Sequence, residues 1–293
     1  MTKNNLAIIV LNWNGADDAL ECISSLARQT LKPTIIVVDN HSHDDSVMRF
    51  EQYQTEHPSV DCTIIANDKN LGFAGGINTG LVHAREQGFE YIGVLNPDAV
   101  ADKNWCRSLV DELSSQTKCG IATGILQRRD GKTLDTTGDF YTTWGLPGPR
   151  NRDEPIENAP SKPGEVFGAT GGGAVYRAAM FDDIDMFDED FFMYYEDVDL
   201  SFRAQLAGWK VRFTPKAIAY HKVGASSKKV PGLAVYNTFK NLPLVFIKNV
   251  PGKLFWYIGL RFFLTYWLIF ASAIRHGNGW PAFKGILASI IRK

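Results

Sequence analysis

Apolar and polar positions along the first hundred residues come in blocks. Leu6-Ala7-Ile8-Ile9-Val10-Leu11 is a continuous apolar run, as expected of a parallel strand buried on both faces. Residues 34–38, 62–66 and 91–95 repeat the pattern. Between these runs the period lengthens. Leu20, Ile23 and Leu26 predict a helix from Asp17 or Asp18, a second helix starts near Asp44, and a third opens at Gly72 and carries Leu81 and Ala84. Alternation of strand, loop and helix predicts a parallel α/β sheet, with ligands bound beyond the carboxyl ends of its strands. Four polar clusters fall at those ends: Asn12-Trp13-Asn14-Gly15, Asp39-Asn40-His41-Ser42, residues 70–76, and Asn96-Pro97-Asp98. One such cluster is ordinary turn chemistry. Four at the same end of one sheet point to a shared site.

The pattern changes in the second half. Residues 127–165 are rich in glycine, proline and charge, and predict a long, partly ordered segment able to meet a variable substrate. Residues 166–176 are strand-like around a glycine triplet, Gly171-Gly172-Gly173. An aromatic run, Phe191-Phe192-Met193-Tyr194-Tyr195, leads into Glu196, Asp197 and Asp199, where a helical period begins. Val198, Phe202, Leu206 and Trp209 share one face of that helix, and Gly208 marks its end. Acids in a first turn offset the helix dipole whatever else they do. A carboxylate held ionised there could also serve as a general base. Lys210 to Pro215 predicts an edge strand, and His221 follows; a lone histidine is more often structural than a ligand.

With 293 residues, 45% of them hydrophobic, the chain suits one large domain or a domain with an appendage. Cys22, Cys62, Cys106 and Cys119 are scattered, which argues against a zinc ribbon or disulfide framework and fits a reducing cytosol. The first residues lack the cleavage pattern of a secretory leader. Neither a GxGxxG fingerprint after the first strand nor a Walker A loop is present, so dinucleotide binding and P-loop ATP hydrolysis have no support. Charge is sharply divided. Residues 1–199 carry 32 acids against 16 Lys and Arg, net −16, while residues 200–293 carry 15 cations and no acid, net +15. Such a split points to an anionic surface.

That basic half is also the most apolar, which favours a membrane over nucleic acid. Residues 233–249 predict a helix carrying Tyr236, Lys240 and Asn241. Residues 254–274 approach the roughly 20 apolar residues of a membrane span. Arg261, in the first half of that run, argues for an interfacial or re-entrant helix instead of a clean crossing. Lys248, Lys253, Arg275, Lys284, Arg292 and Lys293 flank the run and suit an anionic cytoplasmic leaflet. The alternative is a helical hairpin buried on the catalytic domain. The expected division is residues 1–230 as a catalytic domain, with halves about 1–100 and 101–230, and 231–293 as a basic, apolar helical region peripheral to the membrane.

As a set, the motifs resemble family 2 glycosyltransferases of the GT-A fold, in their bacterial rhamnosyltransferase-like branch. Carrying the resemblance are Val10 to Gly15, Val38-Asp39-Asn40 with Ser42, Asn70 to Asn78, Leu95 to Ala99, Glu196 to Arg203, Gly208-Trp209 and His221. The resemblance implies an α/β GT-A fold, a mostly parallel mixed sheet flanked by helices, and inverting sugar transfer from a nucleotide-diphosphate donor. Asp39 would hold the base or ribose beside Asn12, Asn14 and Gly15, while Asn70, Gly72 and Asn78 shape the nucleotide pocket. Asp98 resembles the last acid of the family's metal motif, with Asn96 where many relatives have an aspartate. A Mg²⁺ or Mn²⁺ ion would then lean on Asp98, the donor phosphates and His221. Asp197 is the expected base with Glu196 beside it; Asp199 and Arg203 brace the helix. The acceptor falls to Gly171, Gly172 and Trp144. Many relatives have Arg-Asn where this chain has Lys240-Asn241, which would make a phosphate contact less directional.

The donor implied by resemblance is dTDP-rhamnose, with galactofuranose and glucose as alternatives. The acceptor is a glycan or lipid-linked sugar of a cell-surface polysaccharide such as lipopolysaccharide, and an oligomer is compatible with the sequence. Two other classes stay open: a nucleotidyltransferase, which would want a basic glycine-rich loop near the first strand, and a catalytically silent nucleotide-sugar binding protein.

Overall fold

The computed structural model describes residues 5–222 and 230–291. Arg292 and Lys293, two of the expected flanking cations, lie outside the described residues. The four apolar runs form strands β1 (Leu6–Asn12), β2 (Thr34–Asp39), β3 (Cys62–Ala66) and β4 (Tyr91–Leu95), and the pairs β4–β1, β1–β2 and β2–β3 are all parallel. Helices α1 (Ala16–Ala27), α2 (Ser46–Glu56) and α3 (Gly72–Glu86) make the crossovers. The runs are unbroken because both sheet faces are covered. Ile8, Val10, Ile35 and Val37 pack on one side with Ala19, Cys22 and Ile23 of α1. Ala7, Ile9, Ile36 and Val38 pack on the other with Ile77 and Leu81 of α3. Each such side chain, fully buried, is worth roughly 1.5–3 kcal/mol.

The next stretch holds β5 (Ala99–Ala101), α4 (Trp105–Ser114) and β6 (Cys119–Arg128). Residues 127–165 are more ordered than their composition suggests. They contain β7 (Leu134–Thr136), which pairs with β6, and a hairpin of β8 (Asp139–Tyr141) and β9 (Pro147–Pro149), followed by β10 (Gly164–Glu165). The glycine-triplet run is strand only as β11 (Gly173–Arg177), wedged antiparallel between β4 and β6. After α5 (Met180–Ile184) and α6 (Glu196–Leu206), β12 (Lys210–His221) runs parallel to β6. The full order β10-β12-β6-β11-β4-β1-β2-β3 is a mixed, mostly parallel sheet flanked by helices.

Two local expectations change. The strand expected to end at Pro215 continues to His221 and lies one place in from the edge, between β10 and β6. Its register slips between Phe213 and Ile218, which absorbs the proline. On α6, Leu200 and Ala204 face the sheet-side core, while Val198 and Phe202 of the expected face pack with Phe191, Tyr141, Phe167 and Val245; that small cluster stops short of Leu206, which is 58% exposed.

Three helices close the chain: α7 (Leu233–Asn249), α8 (Gly252–Arg275) and α9 (Gly279–Ile290). Helix α7 is docked on α6, with Phe239, Asn241, Leu242, Val245 and Asn249 buried. Helix α8 buries only the stripe Ile258, Phe262 and Tyr266, against Phe239 and Phe246 of α7. Its other face is open. Residues 254–274 are thus largely exposed, with a single stripe packed on α7.

Candidate active site

Strands β1, β2, β4, β6 and β12 all end on one side of the sheet, and β11 begins there. Every polar cluster expected at strand ends comes to this rim. Asp39, only 2% exposed, ties the first corner together. Its Oδ1 accepts from Asn12 Nδ2 at 2.9 Å and from Ser42 Oγ at 2.6 Å, and its Oδ2 accepts from the Ser42 amide at 2.9 Å. Asn14 joins through its amide to Ser42 Oγ at 2.8 Å, and its Oδ1 accepts from the His43 amide at 2.7 Å. Gly15 sits against Asn12 Oδ1, a buried acceptor without a hydrogen-bond partner. Asn40 fixes the next loop by donating to Asn70 Oδ1 (3.0 Å) and Gly72 O (2.9 Å) and accepting from the Leu71 amide (3.0 Å).

The glycine loop 72–76 serves close packing within the protein. Gly72 has φ +72°, and a Cβ there would stand 2.3 Å from Phe192 O. Asn78 lies well inside α3, not at its start, and its side chain bridges to the far loop: Nδ2 donates to Phe187 O (2.8 Å) and Oδ1 accepts from the Phe187 amide (3.1 Å). The structure thus brings Asn12, Asn14, Gly15, Asp39, Asn70 and Gly72 together and sends the Asn78 side chain elsewhere.

Asp98 and His221, far apart in sequence, meet because β12 pairs His221 with Ala99 of β5. His221 Nε2 is 3.0 Å from Asp98 Oδ1 and 3.3 Å from Asn96 Nδ2. Its Nδ1 faces Asp135 Oδ2 at 2.8 Å, and Asp135 also accepts from Arg152 at 2.5 Å. Burial opposes a charge on His221, but the hydrogen bonds to Asp135 and then Asp98 outweigh it and push its pKa up to about 9. An imidazole anchored at Nδ1 by a carboxylate is oriented as a metal ligand usually is. Asp98 and His221 therefore fit a divalent cation, which would exclude the proton from Nε2. Among the described residues no three His, Cys, Asp or Glu side chains converge as a metal cage. A cation here would complete its shell from the donor diphosphate and water.

Glu196 and Asp197 open α6 as expected, on an unusual backbone. Phe192, Tyr194 and Tyr195 all have positive φ, at 63°, 69° and 73°. Non-glycine residues in such regions cost of order 1–3 kcal/mol each and persist only where the surroundings hold them. Asn241 of α7 is the clamp: its Nδ2 lies within 3.0 Å of the carbonyls of Phe191, Met193 and Tyr194. Lys240 Nζ donates to Asp190 O (3.0 Å), Asn249 Nδ2 to Asp199 Oδ1 (2.8 Å), and Lys248 pairs with Asp188. Lys240-Asn241 thus holds the 190–194 turn from behind. Asp199 and Arg203 brace α6 by an ion pair at 2.7 Å. Asn241→Ala is expected to lower stability by roughly 1–3 kcal/mol, because three carbonyls lose their donor. Turnover should fall with donor affinity kept; wild-type turnover in a folded variant would contradict the clamp.

Asp197 Oδ2 accepts from the Gly171 amide at 2.9 Å, and Oδ1 from the Val198 amide at 2.8 Å. A Cβ on Gly171 would press the Phe73 ring at 3.0 Å. The Gly172 carbonyl accepts from the Asn96 amide at 3.0 Å. Burial raises the Asp197 pKa, against the pull of the two amides. Burial and then the Asp197 charge push Glu196 and Asp139 well above the usual carboxylate range. Such groups titrate as one coupled set. Folded, they bind more protons than unfolded, so their contribution to stability falls as pH rises above the ordinary carboxylate range. A Glu196→Gln/Asp139→Asn double variant should therefore lose less melting temperature than wild type between about pH 5 and 8. An equal or steeper loss would contradict the buried-acid reading.

Asp135 and Asp139 belong to the segment whose composition suggested a loop. The period-2 placing of Leu134 and Thr136, then Asp139 and Tyr141, around Gly138 was the available signal. Trp144, expected near the acceptor, sits at the tip of the β8–β9 hairpin against Arg261 of α8, and Gly145 packs on Phe262.

Similarity to known proteins agrees with this geometry. Over 249 residues the chain is 24% identical to an N-acetylglucosaminyl-diphospho-decaprenol L-rhamnosyltransferase of Mycobacterium tuberculosis, covering 77% of this chain and 78% of the relative. It is 25% identical over 211 residues to a low-salt glycan biosynthesis hexosyltransferase of Haloferax volcanii, covering 69% of this chain and 62% of the relative. Among solved structures, it is similar to a Pyrobaculum calidifontis mannosyltransferase in complex with GDP-Man and Mn²⁺. The TM-score is 0.62 at 16% identity, with 97% of this chain and 73% of that one covered. Residues 7–185 match the model of glycosyl transferase family 2, and with the GT-A sheet and its rim of polar clusters in place, the chain belongs to that family.

Proposed function

We propose that the chain is an inverting, metal-dependent glycosyltransferase that moves a sugar from a nucleotide-diphosphate donor to a hydroxyl of a lipid-linked or polysaccharide acceptor. The observation that carries this reading is the dipeptide Gly171-Gly172. One of its residues donates to Asp197 and the other accepts from Asn96, so the base and the Asn96–Asp98 turn flank a single stretch of backbone. Asp197 takes the acceptor proton as that oxygen attacks the anomeric carbon, and the bond to the diphosphate oxygen breaks on the opposite face. Its raised pKa makes it a stronger base than an exposed aspartate. Burial and the Asp197 charge push Glu196 and Asp139 well above the usual carboxylate range, and two backbone amides aimed at Asp197 favour it as the group that carries the charge.

Asp98 and His221 would hold Mg²⁺ or Mn²⁺, with Asp135 fixing the imidazole. When bound, such an ion neutralises charge on the departing diphosphate. The corner Asn12, Asn14, Gly15, Asp39, Asn70 and Gly72 receives the nucleotide. The M. tuberculosis relative's name supports L-rhamnose as the transferred sugar and a diphospho-polyprenol-linked sugar as the acceptor, and dTDP-rhamnose is the donor the family resemblance implies. The exposed face of α8 and the acid-free sequence after Asp199 support attachment to the cytoplasmic face of a membrane, in the interfacial plane.

A panel of nucleotide-sugars with Mg²⁺ or Mn²⁺ tests the reading. A true donor at about a hundred times its Kd adds ~2.7 kcal/mol of stability. The melting temperature then rises by about 5 °C, and the nucleotide is released only when acceptor is present. A panel in which no nucleotide-sugar shifts the melting point would overturn it.

A further inference from the structure

Arg261 lies on α8 at the border between its buried stripe and its open face. Its guanidinium carbon is 3.9 Å from the Tyr257 ring centroid, one helical turn back, and 5.8 Å from the Trp144 ring at the β8–β9 tip. The group is held in an aromatic bracket made by two separate parts of the chain. It is half-buried, and among the described residues it forms no ion pair with a carboxylate. No carboxylate side chain follows Asp199 anywhere in the sequence. Around it Trp256, Leu260, Phe263, Leu264 and Trp267 are exposed on the same helix. An arginine without a counter-anion, amid exposed Trp, Phe and Leu side chains, is costly unless an anion comes to it from outside.

We propose that Arg261, bracketed by Tyr257 and Trp144, binds the phosphate of a bilayer lipid. Three features select that occupant. The open aromatic and aliphatic face matches the depth at which tryptophan and tyrosine sit in a bilayer, the level of lipid headgroups. The net +15 of residues 200–293 complements an anionic leaflet. Guanidinium presents a planar fork that engages phosphate with two parallel hydrogen bonds while its faces stay stacked, which lysine cannot do. Because Trp144 belongs to the hairpin that begins at Asp139, a lipid phosphate seated here sets the height of the catalytic rim above the membrane. This site rests on the membrane attachment proposed above.

Sedimentation with vesicles of a phosphate-free galactolipid tests it. One set is doped with phosphatidylglycerol and the other with oleate, at equal negative charge. Wild type is expected to bind the phosphatidylglycerol set roughly three- to tenfold more tightly, and Arg261→Lys should lose that preference despite its retained charge. Trp144→Ala, at an exposed hairpin tip, should weaken the preference without unfolding the chain. Equal wild-type binding to both sets, or an intact preference in Arg261→Lys, overturns the phosphate site while leaving membrane attachment standing. Binding to neither set overturns both.

Discussion

Asp197→Asn is expected to lower the rate of sugar transfer by about 10²- to 10⁴-fold, the usual worth of a positioned general base. The amide keeps one oxygen for the Gly171 N–H and leaves the Val198 N–H without its acceptor, a stability cost of roughly 1–3 kcal/mol that should still leave the α6 start folded. What disappears is the charge that accepts the proton. Donor affinity should stay at the wild-type level, because the donor corner around Asp39 and Asn70 is built from other loops. The separation of kcat from donor binding is the diagnostic. A variant that loses both has lost its fold at the strained 192–195 turn, and one that keeps its turnover removes Asp197 from the chemistry.

Asp98→Asn should act on the other side of Gly172. Metal-supported donor binding is expected to weaken at least about 10- to 100-fold, since even partners one step removed from a metal cost that much. The variant also takes from His221 one of its two carboxylates, leaving Asp135 at 2.8 Å as the anchor. Calorimetric titration of donor in the presence and absence of Mn²⁺ reads the effect. Wild type should show a large difference between the two titrations and the variant almost none. An unchanged difference would move the metal away from Asp98.

The first hundred residues were legible because their physics is local. Strands buried on both faces must be apolar throughout, so β1 to β4 announce themselves, and the polar residues that stop them fall at the rim by topology alone. The general position of Asp197 was legible for the same reason, as acids at the start of an amphipathic helix. The segment 127–165 was not. Its strands β7 to β10 are two or three residues long and rich in glycine and proline, so they carry little periodic signal. Asp135 and Asp139 take their meaning from partners far along the chain, His221 86 residues away and the Asp197 charge, which no spacing reveals. Asn241 looked like part of a phosphate motif, yet its contacts are three carbonyls of a backbone turn. A strained turn of aromatic residues leaves no mark in sequence, and its clamp lies 47 residues further on, in another helix. Trp144, assigned to the acceptor, also stands against Arg261, a contact between distant positions of the chain that no spacing announces.

The central claim is a single displacement at the anomeric carbon with Asp197 as base. Its most direct test is the configuration of the transferred sugar. With the donor identified by the thermal-shift panel, NMR of the isolated glycoside product reads the anomeric configuration from the one-bond C1–H1 coupling. The account predicts a product whose anomeric configuration is opposite to that of the sugar in the donor. Retained configuration would contradict it.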